Sequence, residues 1–492
     1  MSHPGGVRWI CGLALILAHA TVLQGDLTRD ALAQSQTSFG PAVPSNQQLL
    51  DRLEAAEAEL RYLRARDQER AKWERNVVTR LPAVPSMYSV ANEESSFESA
   101  DESSRPICQG IGTLCESCKE KLSWNKGPWR IVPFGSLTGE AISATSGTRA
   151  RAMILYVNSD SAADNEQFTV HGQTSALGFN FSGPRVGSFE LGGMILFNFL
   201  GDRPALNQAT PFFLRGYGEL KNEYWRFTFG QQGDLFNPLN PVTVNFGGHK
   251  QAGNGGSFRG SLRVERFVRP SNGVQWTIQT AISQQVVTDF VVDRRIVGTD
   301  NGWPNVEGRL GLGLGPAEAG KRPVELGVSG VIGETRAFGL LGEGVYTTWG
   351  VSTDTQFTIG RWGMRGEFFV GQAIGTYNLG IGQSLEPTGF RAIRSVGGWG
   401  DIWYKLTDCL TVHVGYGIDD PFNEDVGQFF DDDLNPISGQ RSRNEVYWAN
   451  LMWDVSAHFD LGFEVSYRET DYIAPSVSNN AMIYHFRSRL KF

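Results

Sequence analysis

From about Trp129 to the last residue, apolar and polar positions alternate with a period of two, in segments bounded by short polar stretches. The last segment, NNAMIYHFRSRLKF, puts Met482, Tyr484, Phe486, Leu490 and Phe492 on one face. Ile483, His485, Arg487, Arg489 and Lys491 take the other. An apolar face opposite a charged one, without a helical period, predicts a transmembrane barrel strand with lipid outside and water inside. Earlier segments repeat the rule. PFFLRGYGEL sets Phe212, Leu214 and Leu220 against Arg215, Tyr217 and Glu219. YWRFTFGQQ opposes Trp225, Phe227 and Phe229 to Arg226, Thr228 and Gln232, and SFRGSLRVE opposes Phe258, Leu262 and Val264 to Arg259, Ser261, Arg263 and Glu265. VQWTIQTAI, LTVHVGY and LGFEVSY behave likewise, with His413 and Glu464 on polar faces.

About sixteen such segments are expected, centred near 135, 173, 193, 215, 228, 262, 279, 309, 327, 353, 368, 398, 413, 448, 463 and 486. Their connections alternate in length. Lys221-Asn222-Glu223, Pro270 to Gly273, Arg361 to Gly363, Leu406 to Asp408 and Val455 to Ala457 are short; those near 142–166, 233–256, 286–303, 375–391 and 419–442 are long. Short periplasmic turns and long external loops are the habit of bacterial outer-membrane barrels, and a sandwich or propeller predicts no such alternation. The expected fold is therefore all-β: an antiparallel transmembrane barrel over 128–492, with an N-terminal periplasmic coiled-coil helix.

The region before the barrel has a different pattern. Arg8, the apolar run Trp9–Ala18 and small residues at Ala18/Ala20 or Ala31/Ala33 read as a signal peptide over 1–33, cut after 20 or 33. In 46–76, Leu49, Leu53, Ala56, Leu60 and Leu63 make a heptad stripe that fails at Asp67 and Arg70. It reads as an oligomerisation stalk, with an amphipathic helix lying on the barrel as the alternative. Residues 77–127 form an acidic, Ser- and Pro-containing linker carrying Cys108, Cys115 and Cys118.

Composition narrows the picture. With 59 Gly and 13 Trp but only 20% charged residues, the chain suits twisted strands and aromatic girdles better than a soluble enzyme. A formal net charge of −8 gives no support for nucleic-acid binding. No apolar run of helix-spanning length follows the leader. About sixteen strands make a barrel wide enough for water. Arg215, Arg226, Arg259, Arg263, Arg365, Arg487, Arg489 and Lys491 all fall on polar faces, and a lumen so lined favours small anions. Glu219, Glu265, Glu367 and Glu464 share those faces, so a structural ladder of ion pairs with little selectivity is the competing reading.

The third external connection runs from Asp234 to Ser257 and carries Pro238, Pro241, Asn245, His249, Lys250 and several glycines. The segment RGYGELKNEYWRFTFGQQGDLFNPLNP, Arg215 to Pro241, resembles the hairpin that DcaP-type trimeric porins place before their third loop. That resemblance implies uptake of dicarboxylates and similar small anions, a homotrimer, and a third loop that narrows the lumen. An ordinary surface loop, or one latching onto a neighbouring subunit, is the alternative; phosphate-selective porins share much of the layout. A terminal aromatic, Phe492, closing an alternating strand resembles the signal read by the barrel-assembly machinery. The expected partners are thus outer-membrane lipid, further copies of the chain, that machinery and small anionic solutes.

The remaining chemistry is sparse. Cys115-x-x-Cys118 is followed by Lys119, which excludes a c-type haem attachment, and no fourth nearby ligand completes a zinc site. An exported chain favours disulfides, and one of Cys108, Cys115 and Cys118 is expected to bond Cys409 in a periplasmic turn. No phosphate loop, dinucleotide fingerprint, HExxH or G-x-S-x-G elbow is present, so neither a cofactor, a metal nor an enzymatic activity is expected. A structural or adhesive barrel with a plugged lumen is the alternative to a pore.

Overall fold

The computed structural model describes residues 123–159, 165–201, 209–285, 297–299, 302–317, 322–339, 342–386, 391–430, 436–473 and 476–492. The signal peptide, the heptad segment 46–76 and the cysteines at 108, 115 and 118 lie outside the described residues.

Sixteen strands form the wall. They are β1 (Trp129–Ala144), β2 in two stretches (Gln167–His171 and Ala176–Val186), β3 (Phe189–Asn198), β4 (Phe212–Lys221), β5 (Trp225–Gly233), β6 (Phe258–Ser271), β7 (Val274–Ser283) and β8 (Asn305–Leu314). There follow β9 (Val324–Gly339), β10 (Gly342–Ile359), β11 (Trp362–Gln372), β12 (Arg394–Lys405), β13 (Leu410–Pro421), β14 (Arg441–Ser456), β15 (Phe459–Ile473) and β16 (Ser476–Lys491). Fifteen of the expected centres fall inside a strand, and position 173 falls in the break of β2. Each strand pairs antiparallel with its sequence neighbour, and β1 pairs with β16 from Ser136↔Lys491 to Ala144↔Ile483, so the sheet closes. Closure leaves no free edge to satisfy in lipid.

The period of two sorts the side chains as expected. On β7, Trp276, Ile278 and Ile282 are exposed outward; on β15, Phe463 and Val465 point out while Glu464, Ser466 and Arg468 are buried inside. The outer apolar surface continues through Leu262, Leu310, Val328, Val351, Phe368, Ile402 and Val414. Exposed apolar surface on that scale is a lipid-facing belt. Trp129, Trp225, Trp362, Trp453 and Phe492 stand exposed near the short-turn end, where aromatic rings suit a membrane interface.

The pattern misplaces two segments. On β4 the register jumps, with Leu196 opposite Arg215 but Phe197 opposite Phe213. The extra residue is a β-bulge, which re-aims the chain. Leu214, expected on the lipid face, is buried in a cluster with Leu196, Leu200 and Ala176, with Phe212 packed against it. Phe213 takes the outward place. Phe258, also expected outward, joins the same cluster where β6 emerges from the third loop.

Candidate functional site: the lumen and its third loop

Three long connections fold inward. The third, 234–257, is pinned at its neck by Asp234, whose Oδ2 accepts the Ser257 amide at 2.8 Å. Arg259 grips both oxygens of the same carboxylate, Nε at 2.6 Å and Nη2 at 3.1 Å. From there the loop follows the inner wall. Inward carboxylates accept its backbone amides in turn: Glu307 from Leu235 at 2.6 Å, Glu367 from Leu239 at 2.6 Å, Asp401 from Val242 at 3.2 Å and Glu464 from Val244 at 2.7 Å. Ser329 and Ser352 bond Asn237 between them, and Asn450 donates to the Val242 carbonyl. A loop cannot be buried with its amides orphaned, so these wall acceptors account for its position. Four carboxylates thus serve the loop backbone.

The loop's own polar residues are partnered by the wall and by the loop itself. His249 Nε2 lies 3.3 Å from Glu464, and Arg468 Nη2 lies 3.1 Å from His249 Nδ1. Lys250, 1% exposed, donates to Asn240 at 3.1 Å and Asn254 at 3.3 Å. Burial draws the Lys250 ammonium down to about 8, against the pull of Glu367 and Asp234. Burial likewise lowers His249, with Glu464 opposing it. Asn245 is buried too, its side-chain oxygen accepting the Gly247 amide at 3.1 Å.

The connections 145–166 and 373–393 join the third, and nothing in the alternation of the strands points to this. Leu155 offers its carbonyl to Asn444 at 2.9 Å and to Arg468, while the Val157 amide donates to Thr470 at 3.0 Å. Gly380 and Ile381 amides bond Asp419, and Tyr377 lies under Arg259 at 3.8 Å from ring centre to guanidinium. Met153, Leu155, Tyr156 and Ile381 pack together where the two loops meet. The missed signal is an apolar run, ARAMILYV from 150, inside a nominally external loop.

The cations expected to line the lumen all sit on inward positions, and most are matched. Arg226 lies 2.7 Å from Glu219 and 3.8 Å from Glu265, and Arg263 3.8 Å from Glu265. Arg365 lies 3.8 Å from Asp401 and stacks on Trp403. Arg487, Arg489 and Lys491 surround Asp460 at 3.8, 3.0 and 3.0 Å. Sequence reasoning overlooked Arg309, which grips Asp354 with two nitrogens at 2.6 and 3.0 Å.

On the side of β1 to β4 and β16, between the wall and Phe246 of the third loop, lies a cavity. Arg215, Arg487 and Arg489 provide its positive charge, Ser136 and Thr138 its hydroxyls, and Met194, Leu196, Leu214, Phe246 and Phe258 its apolar side. Its one carboxylate, Glu140, is held by Thr174 at 2.5 Å and His485 at 2.9 Å, with His171 at 3.7 Å. Arg215 also faces the Phe258 ring at 5.2 Å. Three guanidinium groups over an apolar floor can bind carboxylates bidentately and shelter a hydrocarbon skeleton. Cys409, in the turn between β12 and β13, is disulfide-bonded.

These features define a closed, sixteen-stranded transmembrane barrel with its third long loop latched inside. The same fold occurs in the outer membrane channel DcaP of Acinetobacter baumannii, which is 17% identical; the match covers 75% of this chain and 99% of that one, with a TM-score of 0.60. More distant similarity extends to an anion-selective porin from Comamonas acidovorans (10% identity, 74% and 100% covered, TM-score 0.47) and to Pseudomonas putida OprB (10% identity, 74% and 94% covered, TM-score 0.46). No family model matches the sequence. No curated protein matches it either.

Proposed function

We propose that the chain is an outer-membrane porin passing small hydrophilic solutes, with a preference for small anions such as dicarboxylates. The observation that carries this reading is the cavity between Phe246 and the β1–β4 wall, which presents Arg215, Arg487 and Arg489 opposite apolar side chains. Loop 3 is held to the other wall by Glu307, Glu367, Asp401 and Glu464, which spends those carboxylates on backbone amides. The shared fold with DcaP supports a channel, and the outward apolar belt supports a membrane setting.

The test is a reversal potential in planar bilayers under a salt gradient. The wild type should favour chloride over potassium, and Arg215→Gln with Arg487→Gln should cut that preference several-fold. Wild-type selectivity for potassium sinks the anion reading. A second reading has support of its own. The pairs Arg226–Glu219, Arg309–Asp354 and Arg489–Asp460, with Trp399 and Trp448 buried in a cluster with Ala252 of loop 3, are the ladder and filling of a structural barrel. A correctly folded protein that passes no current would establish it.

The proposal extends to assembly. The heptad segment 46–76 acts as a periplasmic stalk for a homotrimer, Phe492 is read by the assembly machinery, and Cys409 pairs with one of Cys108, Cys115 and Cys118. Non-reducing peptide mapping identifies the pair, and chemical crosslinking of the intact membrane form reports the trimer.

A further inference from the structure

The short-turn end of the lumen holds a second cavity, on strands β6 to β9, none of which carries the arginines of the first. Its volume is about 420 Å³, and Arg269, Gln275, Thr277, Arg309, Arg322 and Glu325 line it. That size suits a small ligand. Its three guanidinium groups are not equivalent. Arg309 is neutralised by Asp354. Arg322 instead donates to main-chain carbonyls, those of Asn272 at 3.0 Å and Gly315, which brace it between two turns. Arg269 bonds Gln275 Oε1 at 2.9 Å and the Glu223 carbonyl at 2.6 Å.

Carbonyls orient a guanidinium without cancelling its charge. Among the described residues neither Arg269 nor Arg322 has a carboxylate at salt-bridge distance. Among the described residues that line the cavity the one carboxylate is Glu325, which accepts the Arg322 backbone amide at 3.1 Å. A polar, solvent-open hollow with two fixed and unneutralised guanidinium groups has the chemistry of an oxyanion site. We propose that this cavity binds a small oxyanion with at least two negative charges, a polycarboxylate or a phosphate, independently of the constriction. In an outer-membrane barrel the short-turn end faces the periplasm, so the site meets a solute on the periplasmic side. The proposal stands whether or not the constriction selects anions.

The experiment is calorimetric titration of the purified full-length protein in detergent at low ionic strength, with citrate and inorganic phosphate as probes. Arg269→Gln and Arg322→Gln should each weaken one class of binding by about tenfold, the loss of one charge-assisted contact. Arg215→Gln with Arg487→Gln should leave that class intact, which separates this site from the pore reading. Because Arg322 braces two turns, heat-modifiable mobility on gels verifies folding, and Arg269→Gln supplies the variant with least structural burden. Absence of binding by either anion to the wild type overturns the proposal. So does unchanged affinity in both folded variants.

Discussion

Arg259 lies on an inward position, as its parity requires, yet it is 2% exposed and sealed between the Asp234 carboxylate and the Tyr377 ring. Its partner is the residue that closes the neck of loop 3. Removing one member of a buried, doubly bonded pair leaves an uncompensated charge, which costs about 3–5 kcal/mol. Arg259→Met should therefore lower the temperature at which the folded band disappears on gels, and adding Asp234→Asn should recover much of that loss. A double variant as weak as the sum of the two single ones would show the groups to be uncoupled. Lys250 makes a pH-dependent prediction. Its ammonium is drawn down to about 8 in the folded state from an ordinary value near 10.5, so between those limits the unfolded chain holds more protons. Stability then rises with pH through that window. Measured against Lys250→Met, the wild type should gain stability from pH 8 to pH 10.5; parallel curves would remove Lys250 from the account.

Loop 3 shows which elements a period of two makes legible. Strand positions emerge because lipid and lumen impose opposite demands on neighbouring residues, and sixteen strands repeat that demand. The bulge at Leu214 defeats the rule because one extra residue reverses the parity, and no composition signal marks it. The wall carboxylates read equally well as pore-lining or as loop anchors, since the alternation places Glu464 inward without naming its partner. Only the folded loop shows that Glu464 receives the Val244 amide. Glycine decides how closely the loop approaches the wall. Gly253 has φ +91°, and a Cβ there would sit 2.0 Å from the Gly398 carbonyl oxygen on β12. Gly253→Ala should push the loop away from β12 and β13 without opening the barrel, at a cost of about 1–3 kcal/mol. Single-channel recordings should then show altered conductance and a noisier open level, with the folded band retained. A quiet channel of unchanged conductance would mean that loop 3 does not border the conducting path. Glu307 tests the other end of the loop. It accepts the Leu235 amide, the Ser283 hydroxyl and the Tyr377 hydroxyl at 2.6, 2.6 and 3.1 Å. Glu307→Ala strands three buried donors and should be the more destabilising of the two changes.

A barrel stands or fails by its closing seam, because every backbone bond in lipid must be made within the sheet. Here β1 is the strand both ends of the wall share. Its second half pairs with β16, and Gly135 exchanges two backbone hydrogen bonds with Phe492, at 3.0 and 3.1 Å. Beyond that point β16 has run out, and the short strand Trp124–Lys126 folds back to pair Trp129–Ile131 of β1. The entering chain thus covers β1 where the closing strand stops, which protects a stretch of edge next to the membrane interface. The seam is tight at Gly135, where a Cβ would lie 2.5 Å from the Ala176 carbonyl oxygen and 2.8 Å from the Phe492 ring. Four residues on, at Gly139, an added Cβ meets only the Ser488 hydroxyl at 3.3 Å. The two glycines therefore make a matched pair on one strand. Gly135→Ala forces β1 away from β2 or displaces the terminal ring, an overpacking cost of about 1–3 kcal/mol placed on the strand that closes the wall. Gly139→Ala, with a rotatable hydroxyl as its only neighbour, should fold like the wild type. Refolding into detergent, followed by gel mobility before and after heating, reads both. A lower yield of heat-resistant barrel for Gly135→Ala alone locates the assembly-limiting contact on β1 where it meets Ala176 of β2 and the Phe492 ring, and equal yields would place it elsewhere in the wall.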